Sequence, residues 1–164
     1  MVRVYIPGTI TVLRELNEAG EFKPLNGTAF ALTPALRESY TSGSAEDLEY
    51  VAMADASRAS LRLIGDDPDT MRRRVVVAAD VETVTPRPDL DNSVVRIAGP
   101  VRLKDIKAIH VDATEAERAV GAAVLVIDAA DMGDEDAEFA LGDVEDHELA
   151  WYATQELPFL LELI

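Results

Sequence analysis

The chain has 164 residues, with 15 basic against 31 acidic side chains, a formal net charge of −16 and no cysteine. That balance leaves no concentrated basic face for phosphate, so neither nucleic acid nor an anionic membrane surface is expected as a partner, and the missing thiols exclude a disulfide framework, a thiolate zinc site and a cysteine nucleophile. No apolar run approaches the roughly 18 residues of a membrane span, and the length suits a single domain, 1–164, able to bury about 70% of its unfolded surface without a staple.

Val2 to Ile6 alternates around Arg3 and predicts a strand from the first residues. It is too short and too strand-like for the core of a signal peptide, so the chain reads as cytoplasmic. Pro7-Gly8 breaks it, and Thr9 or Thr11 caps a helix with Leu13, Leu16 and Ala19 on one stripe and Gly20 at its end. After an Asn26-Gly27 turn, Thr28 to Thr33 predicts a short strand, and Pro34 starts a brief helix through Tyr40. Ser44 followed three residues later by Asp47 has the form of a capping box. It opens a long helix to Ile64 whose small residues, such as Ala52, Ala56, Ser57 and Ser60, let another element approach closely.

Arg74 to Val81 is the strongest strand, a continuous β-branched run that predicts burial on both faces at a sheet centre. Thr85 to Asp89 is a stiff connector with two prolines, Val94 to Ala98 another strand, and Val101 to Asp105 one helical turn. Ile106 to Val111 alternates strictly and reads as the last strand. Beyond Asp112, Thr114 caps a helix carrying Ala119, Val120, Ala123 and Ile127. From Asp128 to Glu148 there are ten carboxylates and no lysine or arginine. Glu145 to Leu157 reads as a closing helix, because Leu149, Ala153 and Leu157 recur every fourth residue and Pro158 stops the pattern. That stripe and the tail Phe159-Leu160-Leu161 are expected to be buried, against the rest of the chain or against a second copy of it in a homodimer. The class is α+β: a mixed sheet of about five strands in 1–112 with packed helices, and an acidic helical third in 113–164.

The acidic segment fails the metal patterns. An EF-hand starting at Asp128 puts Gly133 correctly at position 6 but Ala130, Met132 and Phe139 at ligand positions 3, 5 and 12. His147-Glu148 begins like a zincin motif, yet Trp151 stands where the second histidine belongs. No metal and no cofactor are expected. Arg72-Arg73-Arg74 is read as edge charge pairing with the acidic third, or as an anion site, and His110 as a half-exposed strand residue. The residues assigned to a ligand pocket are Tyr5, Thr33, His147, Trp151 and Tyr152.

The segments Arg3–Pro7, Thr28–Glu38, Arg73–Val81 and above all His147-Glu148-Leu149-Ala150-Trp151-Tyr152-Ala153-Thr154-Gln155-Glu156-Leu157 together resemble a family of uncharacterised actinobacterial proteins, a domain of unknown function, across nearly the whole chain. The resemblance implies no activity and carries over no functional residue. More loosely, the order strand, helix, strand with Thr33-Pro34, long helix, Val75 strand and Gly99–Ile106 is similar to ADP-ribosyltransferase-like folds, although the catalytic glutamate and nicotinamide-pocket residues of that class have no match. With no catalytic constellation and a lopsided charge, the expected function is a non-enzymatic interaction or regulatory module that offers an acidic surface to a protein partner with a basic one. The alternative is a small-ligand or nucleotide-binding protein, or an enzyme, on the ADP-ribosyltransferase-like fold.

Overall fold

A computed structural model describes residues 1–164. The fold is α+β. Strands β1 (Val2–Gly8), β2 (Glu21–Phe22), β3 (Thr28–Phe30), β4 (Val75–Val81), β5 (Thr85–Pro86), β6 (Val94–Arg96), β7 (Val101–Arg102), β8 (Ile106–Val111) and β9 (Ala150–Tyr152) alternate with helices α1 (Ile10–Ala19), α2 (Pro34–Glu38), α3 (Ala45–Asp66), α4 (Glu117–Asp131), α5 (Glu135–Ala140), α6 (Gly142–Glu145) and α7 (Leu157–Leu163). Seven strands form one sheet in the order β5-β6-β3-β1-β4-β8-β9, and β2 and β7 form a separate pair. Every pairing is antiparallel, so the sheet is larger than the five expected strands and not mixed in strand direction. The turn before β3 brings Gly27 so close to Ile97 that a Cβ would lie 2.5 Å from the Ile97 carbonyl oxygen, at a φ of +68° that also favours glycine.

Alternation along the two central strands sorts the core. Val4, Ile6, Val75, Val77 and Ala79 face one side, where Ile10, Leu13 and Leu16 of α1 and Leu157 and Leu160 of α7 close over them. Tyr5, Val76 and Ala78 face the other, beneath Leu48, Ala52, Ala56 and Ala59 of α3. A third cluster joins Leu61 and Ile64 of α3 to Val120, Ala123 and Ile127 of α4, so the acidic helices pack on α3 rather than on the sheet. The small residues of α3 do allow close approach: buried Ser60 donates to the Gly8 carbonyl at 2.7 Å and accepts from the Val75 N–H at 3.0 Å.

The caps follow the sequence. Thr9 accepts from the Val12 N–H and Gly20 ends α1 at φ 75°, while Ser44 and Asp47 form the capping box of α3. Thr114 departs from expectation: it opens a single 3-10 turn and its hydroxyl accepts from Arg73 Nη2 instead of capping α4.

The closing helix over Glu145–Leu157 does not form. The chain leaves α6, extends as β9 and pairs with β8, with Ile109 opposite Tyr152, His110 opposite Trp151 and Val111 opposite Ala150. An edge that satisfies backbone donors and acceptors outweighs a four-residue stripe that has only side-chain periodicity in its favour. Leu149 and Ala153 are consequently half-buried, and only Leu157 of that stripe is fully buried. In the tail Leu160 is buried but Phe159 is 67% exposed, because α7 starts at Leu157 and turns Phe159 away from α1. No helix is long and apolar enough to cross a membrane.

Candidate functional site

Strand register places a set of side chains on the α3 side of the sheet. Val76, His110 and Trp151 form one rung. One rung further along, Arg74 stands beside Asp112, joined by the backbone bond from the Asp112 N–H to the Arg74 carbonyl. The two rungs are about 7 Å apart, two residues of a strand. Over them lies a cleft of about 610 Å3. Tyr50, Met53, Asp55 and Arg58 of α3 form one wall, Val144, His147 and Leu149 the opposite one, and His110, Arg74 and Trp151 the floor and lip.

Arg74 fixes the second wall. Its side chain is 5% exposed and that of Asp112 fully buried. Asp112 accepts from the Arg74 backbone N–H at 2.8 Å, from Nε at 2.8 Å and from Nη2 at 2.9 Å. The same Nη2 donates at 2.8 Å to the carbonyl of His147, tying the segment after α6 to the sheet. Such a fork, held in plane by two parallel bonds, orients what remains of the guanidinium. Of the other arginines in that run, Arg73 pairs with Glu117 at 2.8 Å, and Arg72 reaches only the Ile64 carbonyl.

The rest of the site is polar and held. Arg58 bridges Asp131 and Glu138, and Arg62 adds a second grip on Asp131, which lies below the usual carboxylate range because of these guanidiniums. Burial raises Asp55, partly offset by the Ser93 hydroxyl that donates to it at 2.7 Å. Burial lowers His110, whose ring nitrogens have no hydrogen-bond partner in the chain. No group of three or more His, Asp or Glu side chains is arranged to hold a metal ion.

The structure brings His147 and Trp151 together in this cleft and places the other three residues elsewhere. Tyr152 is adjacent to Trp151 but, on a strand, points to the opposite face and packs with the α1 cluster. Tyr5 lies under α3, donating to Glu49 at 3.1 Å. Thr33 caps α2, accepting from the Leu36 N–H at 3.0 Å and donating to the Asn92 carbonyl. Sequence reasoning missed Tyr50 and Met53, which sit off the Leu48/Ala52 stripe of α3. It read Arg74 as one charge of a basic run and missed its partner Asp112, which follows from pairing Val75 with Val111 and moving one residue outward.

A second surface lies outside the cleft. Of the ten carboxylates between Asp128 and Glu148, Glu145 and Glu148 line the cleft, and of the other eight only Asp131 and Glu138 make ion pairs. Leu125 on α4, Met132 at its end and Phe139 on α5 stand 87%, 89% and 88% exposed.

Residues 2–161 match the model of a family described as a family of unknown function (DUF6912). No curated protein and no solved structure matches the chain.

Proposed function

We propose, for a chain that belongs to this family of unknown function, a role as a binding module that performs no covalent chemistry and docks a basic protein partner on the outer face of α4, α5 and α6. One observation carries the reading: six carboxylates of this segment, outside the cleft, have no ion pair, and three large apolar side chains stand exposed on α4, at its end and on α5. Charge alone gives solubility and steering, and an exposed Leu, Met or Phe alone needs no explanation. Their combination suits a partner helix with lysines or arginines around an apolar stripe, where the carboxylates raise the rate of encounter and the apolar groups hold the complex.

The test is a titration of the labelled chain, followed by NMR at physiological salt, with two probes. One is a helical lysine–leucine peptide with distinct basic and apolar faces, the other an oligolysine of equal charge. The amphipathic peptide is expected to bind saturably, to shift the resonances of Leu125, Met132 and Phe139, and to lose about tenfold in affinity when Glu135 and Asp136 are both changed to lysine. Equal binding of the two probes, or no saturable binding of the amphipathic one, would reduce the face to a solvated acidic surface.

A further inference from the structure

Independently of the acidic face, we infer that the cleft between α3, β8, β9 and the Val144–Leu149 segment is a binding site for a small, flat, uncharged molecule carrying a carbonyl or amide oxygen. One atom directs the assignment. Arg74 is 4% exposed, and its backbone N–H, Nε and Nη2 are taken by Asp112 and the His147 carbonyl, but Nη1 has no acceptor. The only buried side-chain nitrogen or oxygen without a partner is Arg96 Nε, so Arg74 Nη1 is not sealed off and opens to the cleft that Arg74 lines. A donor held in a fixed plane at the bottom of a cleft is a waiting place for an acceptor oxygen.

Charge decides which acceptor. Asp112 already neutralises Arg74 at close range, and Asp131 and Glu138 neutralise Arg58 on the wall. An anionic ligand would find no surplus positive charge there, and it would meet Asp55, Glu145 and Glu148 on the walls. A neutral carbonyl takes the Nη1 bond without that repulsion. His110, on the adjacent rung, is shifted by burial towards its neutral form, which carries one donor and one acceptor nitrogen, and neither ring nitrogen has a partner in the chain. It can bond a ring or amide N–H next to the carbonyl. Met53, Leu61 and Leu149 give the ligand apolar walls, and Tyr50 and Trp151 give it flat faces at the mouth. The cleft volume of about 610 Å3 is that of a site for an organic molecule rather than an ion.

Trp151 is the sole tryptophan, so its indole N–H gives a single NMR cross-peak that reports on the lip of the site. The labelled chain is titrated separately with 2-quinolone, with quinoline, which lacks the carbonyl, and with quinoline-2-carboxylate, which is anionic. The 2-quinolone is expected to shift the Trp151 and His110 signals saturably and to bind about tenfold or more tighter than either analogue, the loss expected when a hydrogen bond to a charged donor is missing. Arg74→Lys should remove the preference for the carbonyl. If that variant does not fold, His110→Phe, which breaks no hydrogen bond of the chain, should weaken 2-quinolone clearly more than quinoline, which has no N–H to give the imidazole. The inference is overturned if none of the three probes shifts Trp151 saturably, if quinoline equals 2-quinolone, if the carboxylate binds as tightly as the quinolone, or if His110→Phe weakens both neutral probes alike.

Discussion

Replacing Asp112 with alanine should destabilise the chain by about 3–5 kcal/mol, the usual result of removing one partner of a buried ion pair. The structure explains why the loss belongs at that end of the scale. Asp112 is fully buried in its side chain and accepts three hydrogen bonds, one from the backbone. Its removal leaves a guanidinium with 5% exposure and a single remaining acceptor, the His147 carbonyl. Against a total of roughly 5–15 kcal/mol this is a large share of the stability. The double replacement Arg74→Met with Asp112→Leu removes both charges and their desolvation together, so it should lie much closer to the parent than Asp112→Ala does. Urea unfolding at neutral pH, read by circular dichroism and by Trp151 fluorescence, measures all three. A single variant within about 1 kcal/mol of the parent, or a double variant no better than the single, would refute the reasoning that the pair is a desolvated lock.

Ser60→Ala should cost about 1–3 kcal/mol, because it strands the Val75 N–H and the Gly8 carbonyl in the core; urea unfolding checks it, and a neutral result would mean that the helix does not need that bridge. Leu157→Ala should cost about 2–5 kcal/mol, since Leu157 is 1% exposed, whereas Phe159→Ser, at a site 67% exposed, should leave stability unchanged. Sedimentation of the Phe159→Ser variant shows whether that side chain joins two copies. Tyr5 is pushed up to about 12, by burial first and then by the Glu49 carboxylate. The unfolded chain therefore ionises this phenol first, and the stability it contributes, full below pH 10, should be lost as pH rises from 10 towards 12. One of the four tyrosines should titrate late by ultraviolet absorbance, and Tyr5→Phe should remove that titration. Burial lowers His110 below its ordinary 6.5; its contribution is complete above that value and should be lost as pH falls through it towards the folded-state pKa. An NMR midpoint for His110 at or above 6.5 would contradict this.

Much of the framework was legible in the sequence. The Val75–Val77 run announced a central strand because continuous β-branched residues suit burial on both faces, and Ser44 with Asp47 marked the start of α3 because a capping box is a local device. Ala150-Trp151-Tyr152 was not legible as a strand. Leu149, Ala153 and Leu157 share helical spacing, and only the free edge of β8, set by residues about forty positions earlier, decides the competition. The site divides in the same way. Trp151 and His147 were singled out by their rarity and do share the cleft. Tyr5, Thr33 and Tyr152 were assigned to it without the register, and the register puts Tyr152 on the other face. Arg74 looked like one charge in a run of three, since nothing local distinguishes a buried guanidinium from its exposed neighbours. Its partner Asp112 becomes visible only once β4 and β8 are paired.

The place of β1 has a consequence for how the chain is made. It precedes every other strand of the sheet in the sequence, yet it lies in the interior of the sheet, between β3 and β4. Val2 cannot meet Val81 until the ribosome has produced everything between them. At about 5–20 residues per second the wait is roughly 4–16 s. Throughout that interval Val4 and Ile6 belong to a nascent chain with its longest ladder unmade. Of the strands in this sheet, β1 is therefore the one whose main partner arrives latest, and its apolar side chains depend on a contact that only a far later stretch of the chain can supply.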